Sequence, residues 1–234
     1  MGKSAATTTP KNWPPALPYL TQPTYAPSLT PTQLRSLRAR PADPAATPTI
    51  PAHHPRGPSP LVRIAPITDP AHPARGQFGL FAARALPPGA LVVPYFGLVH
   101  PGSDGDGDGD GDGGSDYDLW LDRGDDVDDD DDDSGGGVAV DAARAGNEAR
   151  FVNDYRGVRG RPNAEFRECW DARRGERCMG VFVLPVGKKG KNCGSGGGIG
   201  KGEEILVSYG KGFWGKRRDE DAGDGGVDGE ETIT

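Results

Sequence analysis

The sequence predicts a mainly β domain of short strands, flanked and interrupted by compositionally biased segments. Three observations predict it. Short runs rich in β-branched and aromatic residues recur between turn residues. Only one stretch of the folding part, Ala142 to Asn153, has a helical pattern. The 37 glycines and 23 prolines gather in a few places, which concentrates the 34% hydrophobic residues elsewhere.

Residues 1–60 hold 14 of the 23 prolines and a single acid, Asp43. Proline removes backbone donors and blocks helix, so this basic, Thr-rich arm is expected to be disordered or extended. Its one interruption, Leu34 to Arg40, reads as a short basic helix. The folding part is 61–214. Expected strands are Leu61–Ile64, Gly79–Ala82, Leu91–Val93, Val138–Val140, Ala164–Phe166, Met179–Leu184 and Glu204–Tyr209, and Tyr117–Leu121 alternates like another. Acidic Asp/Gly insertions at 102–116 and 123–137 read as solvated, self-repelling loops. A Gly/Lys stretch at 187–202 reads as a flexible surface loop, and 215–234 as a disordered acidic tail.

Charge and motif spacing exclude several functions. The net charge is -7, yet residues 104–133 alone hold 16 aspartates against one arginine, so the remainder is basic. The D-x-D-x-D-G texture fails as an EF-hand, because loop position 12 falls on Ser115, Tyr117 or Leu119 instead of an acid. Gly200-Lys201 fails as a phosphate loop, since Ser195 stands where the first glycine is required. Cys169, Cys178 and Cys193 lack the close pair of a zinc site and are too few for a disulfide framework; no metal site is expected. No apolar run reaches the roughly 18 residues of a membrane span. Direct nucleic-acid binding is disfavoured, because the basic clusters are not interleaved with aromatics and the aspartates repel phosphate.

Four segments stand out in order. They are Arg75-Gly76-Gln77-Phe78-Gly79-Leu80-Phe81-Ala82 with Leu86-Pro87-Pro88-Gly89; Gly146-Asn147-Glu148-Ala149-Arg150-Phe151-Val152-Asn153-Asp154; Pro162-Asn163-Ala164-Glu165-Phe166; and Gly202-Glu203-Glu204-Ile205-Leu206-Val207-Ser208-Tyr209-Gly210 with Phe213-Trp214. Singly, each has a bland reading: turn glycines, a capping asparagine, a core tyrosine. Jointly, and in this order, they resemble the SET domain of protein lysine methyltransferases, over about half the chain.

The resemblance implies a fold of small curved β-sheets with a C-terminal pseudoknot. It implies S-adenosyl-L-methionine as cofactor and a protein substrate with a lysine-bearing basic tail, such as a histone. Tyr209 matches the catalytic tyrosine. Gln77, Phe78, Gly79, Arg150, Phe151, Asn153, Asp154 and Trp214 match cofactor-binding positions, and Tyr95, Phe166, Val207 and Phe213 the substrate channel. Gly79 would lack a Cβ because the cofactor approaches it closely. Phe166 and Val207 bring no extra hydroxyl to the channel, which implies di- or trimethylation. Two departures matter: Asp154 stands where the family usually has His, and no cysteine cluster flanks the domain. A non-catalytic SET-like binding module is the alternative. Nucleus or cytoplasm is the expected location, and the acid-poor arm leaves a mitochondrial transit peptide open.

Overall fold

The computed structural model describes residues 9–102, 115–122, 137–185 and 198–210. Most of both acidic insertions, most of the Gly/Lys loop, and Phe213, Trp214 and the acidic tail lie outside the described residues.

The described chain is mainly β, as expected. In order it forms β1 (Thr24–Tyr25), α1 (Pro31–Arg38), β2 (Thr49–Ile50), β3 (Val62–Pro66), β4 (Phe78–Ala82), β5 (Leu91–Tyr95), β6 (Leu98–Pro101), β7 (Asp118–Asp122) and β8 (Val138–Asp141). A 3₁₀ turn (Glu148–Phe151) precedes β9 (Asn153–Asp154), β10 (Ala164–Asp171), β11 (Glu176–Val183) and β12 (Leu206–Val207). Four small sheets result, ordered β1-β6-β8-β7, β2-β10-β11-β5, β3-β4 and β12-β9. Each expected strand has a counterpart, although Glu204–Tyr209 shrinks to the two residues of β12. The short strands β1, β2, β6 and β9 carry too little pattern to be read from sequence. Leu80, Val92, Val181, Ile205 and Val207 are fully buried within one apolar cluster shared by β4, β5, β11 and the last segment.

Residues 9–60 differ from a free arm: they are extended but packed on the domain. The prolines lack backbone donors, yet the apolar residues between them find the core. Trp13 and Leu37 are buried, and Trp13 meets Tyr19 and Phe151 edge-on at 5.0 and 5.7 Å. The arm's backbone completes a sheet edge, with Leu20 N donating to Gly146 O, Thr24 N to Gly97 O and Ala26 N to Val99 O. The expected basic helix is α1. It starts at a capping box, in which Thr30 Oγ1 accepts from Gln33 N and Gln33 Oε1 accepts from Thr30 N. It ends at Arg38, three residues before Pro41, whose ring disfavours helix at Arg40.

The helix expected over Ala142–Asn153 is reduced to the 3₁₀ turn. The acceptors and donors of a helix are claimed elsewhere: Ala142 O accepts from Arg150 Nε (3.0 Å), and Gly146 N donates to Pro18 O. Asn147 is extended, with its side chain spanning Phe96 N and Pro94 O. The end of the Gly/Lys loop is also tied down. Ile199 is buried and exchanges both backbone hydrogen bonds with Leu86. Among the described residues no helix is long and apolar enough to cross a membrane.

The last segment makes the threaded crossing. Leu206 and Val207 pair in parallel with Asn153 and Asp154. On the other side, Asn163 N donates to Leu206 O, Asn163 Nδ2 to Glu204 O, and Leu206 N to Asn163 Oδ1. Ile205 N also reaches Leu80 O on β4. Residues 204–207 thus pass between β9 and Asn163, bonded to both, and the following Tyr209 emerges next to β9.

Candidate functional site

The crossing opens a crevice of about 400 Å³. Its walls come from the loop before β4 (His72 to Gln77), from Phe78 on β4, from the 3₁₀ turn and β9, and from Tyr209; Asp116 and Tyr117 form one rim. That volume lies within the range of small-molecule sites, roughly 300–1,000 Å³.

Tyr209 is held at both ends. Its hydroxyl donates to Val152 O at 2.6 Å, and its backbone N–H donates to Asp154 Oδ2 at 2.7 Å. Because the phenol proton is committed to a carbonyl, the oxygen faces any ligand as an acceptor. Asn153 has a fixed amide orientation. Its Nδ2 donates to Glu204 Oε1 at 2.9 Å, and a carboxylate oxygen only accepts, so Oδ1 must point away from Glu204. Glu204 Oε2 in turn lies 3.1 Å from His72 Nε2. Ala74 N donates to His72 Nδ1, which leaves the proton on Nε2, facing the carboxylate.

Arg150 braces the crevice from behind. Its guanidinium bonds Ala142 O and Ala143 O and lies over the Tyr117 ring at 4.5 Å. Phe78 is exposed on the wall and meets Phe151 edge-on at 6.4 Å. Gly79 lies behind this wall, and the reason for its missing Cβ is local. A Cβ there would stand 2.6 Å from Glu204 Oε1 and 3.2 Å from Asn153 Nδ2. The glycine leaves room for the Glu204–Asn153 pair.

The structure therefore gathers Gln77, Phe78, Arg150, Phe151, Asn153, Asp154 and Tyr209 into one crevice. It does not bring the channel candidates to that lining. Val207 is buried in the core, and Tyr95 packs edge-on against Phe166 at 5.5 Å while its hydroxyl donates to Tyr117 O at 2.7 Å. Burial, then the charges of Asp141 and Tyr209, push the Tyr95 phenol well above its ordinary value, so it stays protonated. Trp214 and Phe213 fall outside the described residues. Sequence reasoning missed His72, Tyr117 and Arg156. A lone histidine in a proline-bearing loop carries no local signal, and only the crossing places it beside Glu204. Among the described residues no group of three or more His, Cys, Asp or Glu is arranged to hold a metal ion.

No family model and no curated protein matches the chain. Solved structures do. The ATXR5 SET domain in complex with dimethylated histone H3 is 13% identical, with 83% of this chain and 81% of that chain covered and a TM-score of 0.48. The polycomb repressive complex 2 of Chaetomium thermophilum is 23% identical over 64% of this chain and 15% of that chain, at a TM-score of 0.41. The same complex, autoinhibited and bound to S-adenosylmethionine, is 19% identical over 69% of this chain and 17% of that chain, at 0.40. The chain thus spans less than a fifth of the polycomb chain it matches.

Proposed function

We propose that the crevice binds S-adenosyl-L-methionine and that the protein transfers a methyl group to a lysine of a protein substrate. The observation that carries this reading is the meeting of Asn153 and Tyr209 in one crevice of suitable volume. The donor, when bound, supplies a methyl on a sulfonium, a centre open to in-line displacement by an amine.

What the chain supplies is position. Asn153 Oδ1, turned away from Glu204, accepts from a ligand ammonium, and the backbone of Gln77, Phe78 and Asp154 lies along the same wall. Phe78 and Phe151 provide apolar surface, with Arg150 bracing the turn that carries Phe151; Trp214 and Phe213, which the family resemblance assigns to the cofactor and the lysine channel, lie outside the described residues. The incoming lysine must lose its proton before it attacks, and an apolar passage favours the neutral amine. The Tyr209 oxygen accepts a hydrogen bond from that amine and holds its lone pair on the methyl axis. It does not act as the general base, because the oxygen already carries a proton, which it donates to Val152 O. The resemblance assigns Tyr95, Phe166 and Val207 to the lysine channel, and the absence of a further hydroxyl at 166 and 207 permits a second and third transfer. The aspartate-rich insertions favour a basic substrate tail of histone type, with the nucleus as site of action.

One observation favours a SET-like binding module without turnover: Tyr95 and Val207 are buried, and none of the three channel candidates among the described residues, Tyr95, Phe166 and Val207, lines the crevice. Labelled S-adenosylmethionine incubated with the full chain and a cell extract separates the readings. Transfer to a lysine is expected, falling roughly 10²-fold or more in Tyr209→Phe while donor binding persists. Donor binding without transfer to any protein would support the module.

A further inference from the structure

Asp154 stands beside Tyr209 with an almost enclosed carboxylate, and each of its hydrogen bonds has a visible purpose. Oδ1 accepts from Arg156 N at 2.8 Å, and Oδ2 accepts from Arg156 Nη1 at 2.8 Å and from Tyr209 N at 2.7 Å. The Arg156 guanidinium lies 4.9 Å over the Tyr155 ring, which fixes the countercharge. Residue 209 lies beyond the last ladder pair, Val207 with Asp154, so no strand partner takes its N–H. The carboxylate takes the place of that partner with a charge-assisted bond.

We infer that Asp154 is a positioning residue for Tyr209, with Arg156 as its counterion. The inference rests on Tyr209 being the group that meets the substrate amine. Arg156 fixes the carboxylate, the carboxylate fixes the backbone of Tyr209, and Val152 O fixes the phenol. The residue that the resembling family usually carries here, His, has no carboxylate and cannot serve the arginine and the Tyr209 N–H in this way. The departure noted in the sequence is thus a change in how the tyrosine is held, and the Asp154 side chain is directed at the protein instead of at a ligand.

The test uses the full chain and the variants D154N, R156Q and D154N/R156Q, with amide hydrogen exchange at Tyr209, thermal melting and steady-state transfer as readouts. D154N keeps the shape of the side chain but loses its charge and one acceptor. The Tyr209 amide is expected to exchange about tenfold faster or more, the loss of one charge-assisted hydrogen bond. The kcat falls by about tenfold or more, while KM for S-adenosylmethionine stays within about twofold. In D154N/R156Q the arginine no longer lacks its partner, so the melting temperature recovers while kcat and the fast Tyr209 exchange do not. Unchanged exchange at Tyr209 in D154N, or recovery of kcat together with the melting temperature in the double variant, overturns the inference. If the wild-type chain transfers no methyl group, the methyltransferase reading fails, and exchange at Tyr209 alone still decides whether Asp154 holds that residue.

Discussion

The hairpin of β10 and β11 and the pair of β9 and β12 belong to the same domain but solve opposite problems. The hairpin aligns eight residues with eight, antiparallel, from Ala164 opposite Val183 to Asp171 opposite Glu176. Its backbone is satisfied by strand pairing, within the hairpin and with β2 and β5 on either side, and Cys169, Cys178 and Phe182 pack with Ile50 into a separate small cluster. None of its side chains lines the crevice. The β9–β12 pair aligns only two residues with two, in parallel. Side chains satisfy several of its remaining backbone groups: Asn163 serves Glu204 O and Leu206 N, and Asp154 serves Tyr209 N. Where the ladder is short, side chains must complete it, and those same side chains fix the site. Regular pairing carries stability, and interrupted pairing carries chemistry.

The largest expected effect separates the two regions. Phe182→Ala removes a buried ring from the hairpin and should cost about 3–5 kcal/mol of stability. Donor affinity per folded molecule should stay at the wild-type value, as denaturant melts and titration calorimetry would show; loss of affinity in the folded variant would break the division. A smaller change strikes the other region. Gly79→Ala places a methyl against Glu204 and Asn153 and should cost about 1–3 kcal/mol through overpacking. Unlike Phe182→Ala, it should weaken donor binding in the folded protein, because Asn153 has to move.

The smallest effect concerns the fastening of the arm just before β9. Glu148 is buried, accepting from Ser59 N at 2.8 Å and from the Tyr19 hydroxyl at 3.0 Å. Burial outweighs these bonds and raises its pKa above the ordinary 4.5. A raised carboxyl pKa means that the folded state holds its proton more tightly than the unfolded state. This contribution is full below 4.5 and is lost as pH rises through the raised value. Melting temperatures of wild type and Glu148→Gln across that window should therefore diverge, the wild type alone losing this component. Parallel curves would remove Glu148 from the fastening of the arm.

Most of the fold was legible because most strands of four or more residues announce themselves by composition, as β3, β4, β5, β7, β8, β10 and β11 do, although β6 with its His100 and Pro101 does not. The two-residue strands β1, β2 and β9 do not, since two residues hold no period. Trp13 and Leu37 could not be placed from sequence, because proline content describes what the backbone avoids and not what its apolar side chains meet. The crevice was legible through its motifs: Asn153, Tyr209 and the loop at Gln77 and Phe78 do converge. Its supports were not. His72 gains Glu204 as its partner only when the last segment passes between β9 and Asn163, and the helical pattern of Ala142–Asn153 gave way to hydrogen bonds with Pro18 O, Phe96 N and Pro94 O that no local pattern contains.

The most direct measurement is titration of the full chain with S-adenosylmethionine by calorimetry, alongside Asn153→Ala. Saturable one-to-one binding is expected for the wild type, weakened about tenfold or more when the Asn153 acceptor is removed. A wild-type chain that gives no binding heat, or an Asn153→Ala variant that binds as tightly as wild type, would contradict a donor site in this crevice.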